Sequence, residues 1–63
     1  MRLQQTAQEM LSKHNWSTIE HYMDGEICET LYDRLAPCSE LDFLNAYTVA
    51  HAAKFEGETF TIN

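Results

Sequence analysis

Glycine is scarce in this chain: Gly25 and Gly57 are the only two among 63 residues. A phosphate-cradling loop or a dinucleotide-binding turn needs several glycines within a few positions, so neither nucleotide motif is present. Basic residues are scarce as well, with four Lys and Arg against ten Asp and Glu. A surface that reads DNA or RNA needs cations to meet phosphates, and the formal net charge here is −6. No apolar run approaches the roughly 18–20 residues that span a bilayer. The first five residues, Met1, Arg2, Leu3, Gln4 and Gln5, lack the apolar stretch of a signal peptide. A cytoplasmic location is the expectation, and Cys28 and Cys38 would then be reduced thiols. Only an oxidising compartment would join them in a disulfide. Beginning at Met1 and ending without a linker, the chain reads as a complete small gene product.

Catalytic and metal-binding patterns are missing too. His14, His21, His51, Cys28 and Cys38 are the available soft donors. None of them falls into the close Cys-Cys or His-His pairs of a structural zinc site. An EF-hand needs a glycine at the sixth and a glutamate at the twelfth position of its loop, and the residues after Asp24 do not supply them. Nucleophilic catalysis needs a nucleophile, a base and an orienting group brought together, and no local motif here does so. The expectation is a protein without cofactor or metal that is not an enzyme.

What is present is enough apolar material to fold. Hydrophobic residues make up 44% of the chain, and seven aromatics accompany the charge. Acidic chains that stay disordered are poor in aromatics, so residues 1–63 read as one folded domain. A domain this small buries only about 60% of its unfolded surface, and its stability margin is thin.

The periodicities are helical. Leu3, Ala7, Met10, Leu11 and His14 recur on one face and predict a first helix over 3–14, with Asn15 as its stop. Ser17 and Glu20, three apart, have the form of a capping box after Trp16, which predicts a short helix over 17–23. The same segment from Thr18 onward also reads as a strand, since Asp24-Gly25 is a hairpin signal. The helical spacing of Ile27, Cys28, Leu31, Tyr32 and Leu35 favours two helices joined at that dipeptide, with Asp24 capping the second over 25–36. Pro37 closes it. Ser39 opens a last helix over 40–55, and Gly57 ends it. Thr59, Phe60, Thr61 and Ile62 alternate and are partly β-branched, the pattern of a strand. Its partner would be the 18–23 segment, another chain, or none. The fold class is therefore mainly α: a small domain of three to four helices with a short C-terminal strand.

The acidic residues are unevenly placed. Seven of the ten, Glu20, Asp24, Glu26, Glu29, Asp33, Glu40 and Asp42, fall within 20–42, with only Arg34 to offset them. Glu26, Glu29 and Asp33 share one face of the 25–36 helix, opposite Ile27, Leu31 and Leu35. The bland reading is a solvated helix face. The sharper one is a docking surface for a basic protein, its encounter rate raised by steering. The candidate partner-binding residues are Glu20, Asp24, Glu26, Glu29 and Asp33, with Tyr22 and Tyr32 as aromatic anchors. The 40–55 helix is apolar nearly all round. One stripe holds Leu41, Leu44, Thr48, Ala52 and Phe55, and a second holds Phe43, Ala46, Tyr47, Ala50 and Ala53. It reads as the central helix of the domain, or as the interface of a homodimer.

In type, a chain of this size and acidity without catalytic motifs is similar to the small inhibitors of phages and mobile elements, anti-CRISPR and anti-restriction proteins among them. That likeness rests on size, charge and the absence of catalytic motifs. It implies a protein acting in the host cytoplasm that occupies nucleic-acid-binding or docking surfaces of host enzymes. The expected partner is a basic, nucleic-acid-handling host protein, with no direct contact to nucleic acid or membrane. The alternatives are a homodimeric scaffold or complex subunit whose acidity serves solubility, and a degenerate helix-turn-helix regulator. For the last, the acids of the 25–36 helix weigh against docking in a major groove.

Overall fold

A computed structural model of the chain describes residues 6–62, so the expectations for Leu3 and its neighbours lie outside the described residues. Four helices follow one another: α1 (Ala7–Lys13), α2 (Trp16–Tyr22), α3 (Gly25–Arg34) and α4 (Glu40–Lys54). The domain is mainly helical, as the periodicities require.

Each helix begins on a side chain that takes up a free backbone N–H of the first turn. Thr6 accepts from the Glu9 N–H at 3.1 Å while the Glu9 carboxylate reaches back to the Thr6 N–H at 3.5 Å, a complete capping box. Asp24 accepts from the Ile27 N–H at 3.0 Å and Ser39 from the Asp42 N–H at 3.1 Å, both as the sequence indicates. The start of α2 differs from expectation. Its cap is Asn15, which accepts from the Thr18 N–H at 2.9 Å, and the helix begins at Trp16. Asn15 thus opens α2 where the pattern made it the stop of α1. The α1 helix already ends at Lys13, with His14 extended, and Asn caps as well as Ser does. Starting one residue early turns Trp16 edge-on to the Phe43 ring at 5.8 Å and buries Ile19 completely. The strand alternative for this segment is excluded.

Two further ends shift. The α3 helix stops at Arg34, with Leu35 in an extended conformation two residues ahead of Pro37. Leu35 therefore lies past the helix and is exposed, outside the core stripe. At the end of α4, Glu56 (φ 56°) and Gly57 (φ 86°) both turn left-handed. The Gly57 N–H closes on the Ala52 carbonyl at 2.6 Å, a Schellman-type stop in which Glu56 holds the position usually given to glycine. Beyond it, Phe60 and Ile62 are buried while Thr59 and Thr61 are exposed, yet no strand occurs among the described residues. The alternation was read correctly and its cause was not. The tail lies against helices, and the 18–23 segment that could have paired with it is helical.

The core comprises Ala7, Met10, Ile19, Ile27, Leu31, Phe43, Leu44, Tyr47, Phe60 and Ile62. The central helix is α4, packed against both α1 and α3, while α1 also meets α2. Phe43, Leu44 and Tyr47 are its buried residues, and the side holding Leu41 and Val49 is left open, Val49 being 72% exposed. The Cα atoms span 36 × 26 × 17 Å, so the domain is about two helix layers thick and each helix keeps a face to solvent.

Tyr47 ties these layers together. Its side chain is fully buried, with the Phe60 ring edge-on at 4.8 Å and the His51 ring at 5.8 Å. Its hydroxyl oxygen accepts the Asp24 backbone N–H at 2.7 Å, which fixes the α2–α3 joint onto α4. Asp24 is held a second time by Lys54, whose Nζ lies 3.2 Å from both carboxylate oxygens. The N–H of Ile27 and then the Lys54 ammonium hold the Asp24 carboxyl below its ordinary pKa. Burial pushes the Tyr47 phenol up, so it stays neutral.

Replacing Tyr47→Phe keeps the ring and leaves the Asp24 N–H without its acceptor, which should cost about 1–3 kcal/mol in urea unfolding. Because the Asp24 pKa is lowered in the fold, its stabilisation is present above the unfolded value and lost as pH falls through the folded one. The stability gap between wild type and Asp24→Asn, which keeps the cap, should therefore shrink between neutral pH and about pH 2. Glu56→Gly relieves a left-handed side chain and should raise stability by about 0.5–1 kcal/mol in the same assay.

Candidate functional site

The α3 helix carries the carboxylate face for a local reason. Asp24 caps it, Ile27 and Leu31 anchor it in the core, and a turn of 3.6 residues then sends Glu26, Glu29 and Asp33 outward together. All three are exposed. They differ in how far the rest of the fold answers their charge. Lys54 lies 3.7 Å from Glu26, but the Glu26 side chain is 83% exposed, and a pair this open is worth little. The carboxylates of Glu29 and Asp33 have no hydrogen-bond or ion-pair partner among the described residues.

The other expected residues separate into three kinds. Asp24 is engaged on both sides, by the Ile27 N–H and by Lys54, and is first of all a structural residue. Glu20 on α2 and Tyr32 on α3 are brought together: the Tyr32 hydroxyl donates to Glu20 Oε2 at 3.0 Å. The Tyr32 ring also lies on the Phe43 ring, with centroids 4.9 Å apart and planes 28° from parallel. Desolvation, and then the bond to Glu20, push the Tyr32 phenol up. Tyr22 stands apart, half-exposed and edge-on to His21 at 5.6 Å. No hydrogen bond or ring contact joins it to the acidic face among the described residues.

Three residues that matter to this surface carry no sequence signal that ties them to the acids. Lys54 neutralises Asp24 from thirty positions away. Phe43 supports Tyr32, and Tyr47 sets the joint from which α3 starts. None belongs to a local spacing that links it to the acids, so only the packing of α4 on α3 reveals them.

The histidines and cysteines are dispersed. His51 Nδ1 lies 3.0 Å from the Glu58 carbonyl oxygen, an acceptor, so that nitrogen carries the proton. The ring is packed among Tyr47, Phe55 and Phe60. Cys28 and Cys38 are free thiols. Burial, with Glu20 and Asp24 as lesser causes, pushes the Cys28 thiol up and away from the reactive thiolate. Among the described residues no three His, Cys, Asp or Glu side chains gather as metal ligands. No helix among them is long and apolar enough to cross a membrane. A groove of about 240 Å³ between α3 and α4, lined by Ile27, Leu31, Ala50, Glu26, Arg34 and Lys54, is smaller than the usual small-molecule pocket. A wider one of about 510 Å³ beside Val49 and Phe60 is lined by apolar, Thr and Asn side chains, with no acid or base. What this surface offers is charge and exposed aromatic rings, the chemistry of protein docking.

No curated protein and no solved structure matches the chain significantly. One family model does, that of the anti-CRISPR protein AcrIC5, over residues 12–60. The match runs from the end of α1 through α2, α3 and α4 into the tail, more than three quarters of the chain. The chain belongs to the AcrIC5 family of anti-CRISPR proteins.

Proposed function

We propose that this anti-CRISPR protein acts in the host cytoplasm by docking the carboxylate face of α3 onto a basic, nucleic-acid-handling surface of the CRISPR machinery, without catalysing a reaction. The observation that supports this most is the pair of unanswered carboxylates, Glu29 and Asp33, aligned with Glu26 on one exposed helix face. CRISPR effector proteins hold their guide and target in positively charged channels. Such a channel meets phosphates spaced about 3.4 Å apart along each strand. From Glu26 to Asp33 the helix rises about 10 Å, at 1.5 Å per residue, and displays three carboxylates. Their mean spacing along the axis is about 5 Å, roughly one and a half times the phosphate spacing of one nucleic-acid strand, and it is carried on a rigid rod.

Glu20 extends this surface onto α2, and Tyr22 and Tyr32 supply apolar contact area. Asp24 contributes less, because Lys54 already answers its charge. Long-range attraction between such surfaces speeds encounter and weakens with salt, since the Debye length is about 8 Å at physiological ionic strength.

The triple change Glu26→Lys, Glu29→Lys, Asp33→Lys tests the reading. Lys and Glu are similar helix formers and the positions are exposed, so helical content by circular dichroism should be kept. Affinity for the purified host CRISPR effector at low salt should fall by about 100-fold or more, and protection of phage in a plaque assay should be lost. Unchanged affinity and protection would refute the proposal.

A further inference from the structure

We infer that Tyr32 and Glu20 together form a receptor for an arginine side chain of the partner protein. This rests on the docking reading above and adds which cation the surface selects.

Tyr32 is 57% exposed, an unusual state for a ring held at both ends. One face is covered by Phe43, and the hydroxyl is tied to Glu20 Oε2 at 3.0 Å. Phe43 is itself buried, with Trp16 edge-on at 5.8 Å, so the support beneath Tyr32 is part of the core. The exposure of Tyr32 therefore belongs largely to the ring face turned away from Phe43. That face is open, flat and fixed in orientation before any partner arrives, which lowers the entropic cost of binding.

The surroundings are anionic. Glu20 sits at the hydroxyl end of the ring, with Oε1 left to accept a further bond. Glu29 is one turn earlier on α3, within the reach of i, i+3 neighbours, and Asp33 is the next residue. Two of the described cations, Lys54 and Arg34, are directed elsewhere. Lys54 is held by Asp24 and Glu26, and Arg34 is two residues on, a rotation of about 200° that puts it on the other side of the helix. Among the described residues no cation lies over the Tyr32 ring, and its open face is left for a cation from outside.

The geometry prefers arginine over lysine. A guanidinium is planar, weakly hydrated and able to lie flat on a tyrosine ring while its edge donates to a carboxylate. An ammonium is a hydrated point charge that gains less from a flat platform. Basic surfaces that hold nucleic acid carry both residues, so the site would align the inhibitor on the arginines among them.

The test compares N-acetylated hexa-arginine and hexa-lysine amides, equal in charge, titrated into the wild-type protein at low salt. Hexa-arginine should bind about 2- to 5-fold more tightly, the range expected of an exposed cation–π contact. Its side-chain protons should shift upfield in the Tyr32 ring current, and those of hexa-lysine should not. Tyr32→Leu, which keeps an apolar cover on Phe43, and Glu20→Gln should each reduce the preference. Equal binding of the two peptides to wild type would overturn the inference and leave the docking reading standing. Binding of neither peptide at low salt would overturn the docking reading itself. The wild-type comparison depends on no variant that has to fold.

Discussion

The Asp24 backbone N–H finds its acceptor twenty-three residues away, in the hydroxyl of Tyr47. Much of the domain is organised around that bond. It sits where α2 turns into α3, a joint with no room for a loop, and it pins the joint to the most buried ring of the central helix. Asp24 then does three things within a few ångströms. Its N–H meets Tyr47, its carboxylate caps α3 through Ile27, and the same carboxylate draws Lys54 across from the end of α4. The direction of α3, and with it the direction in which Glu26, Glu29 and Asp33 point, follows from this one anchored residue. The charged surface of the inhibitor is oriented by a neutral hydrogen bond beneath it.

Much of this fold can be read from local chemistry, and the reasons show where reading stops. The caps at Asp24 and Ser39 were visible because a short polar side chain ahead of an apolar period has few other uses. The start of α2 was misplaced because Asn15 and Ser17 are equivalent as caps. What separates them is the burial of Trp16 and Ile19, a matter of tertiary contact. The tail gave a true alternation and a false strand. Alternate residues of an extended segment are buried whether the neighbour is a sheet or the flank of a helix, and Phe60 on Tyr47 is the second case. The acidic face was legible as a face because helical spacing alone decides it. That Asp24 is held internally while Glu29 is not depends on Lys54, which lies too far along the chain for any periodicity to reach.

The charge distribution imposes its own constraint. A net charge of −6 on 63 residues works against compaction, since like charges crowded on a small body repel. The structure limits this by keeping charged side chains out of the core: among the described residues no charged or polar side chain is buried there. The core is made of Met10, Ile19, Leu44, Tyr47 and Ile62 at or near complete burial, and the carboxylates lie above it in water. Stability and charge are thus assigned to different atoms of the same helices. In α3 they alternate around one axis, Ile27 and Leu31 inward and Glu29 and Asp33 outward.

That separation has an evolutionary reading. An inhibitor of a bacterial defence faces a target that changes, and it must change in turn without ceasing to fold. Here Glu29 and Asp33 support no neighbour among the described residues, so substitutions at those two positions leave the contacts of the fold in place. The helix beneath them acts as a fixed mount with replaceable fittings, held by Ile27 and Leu31 whatever side chains those two positions carry.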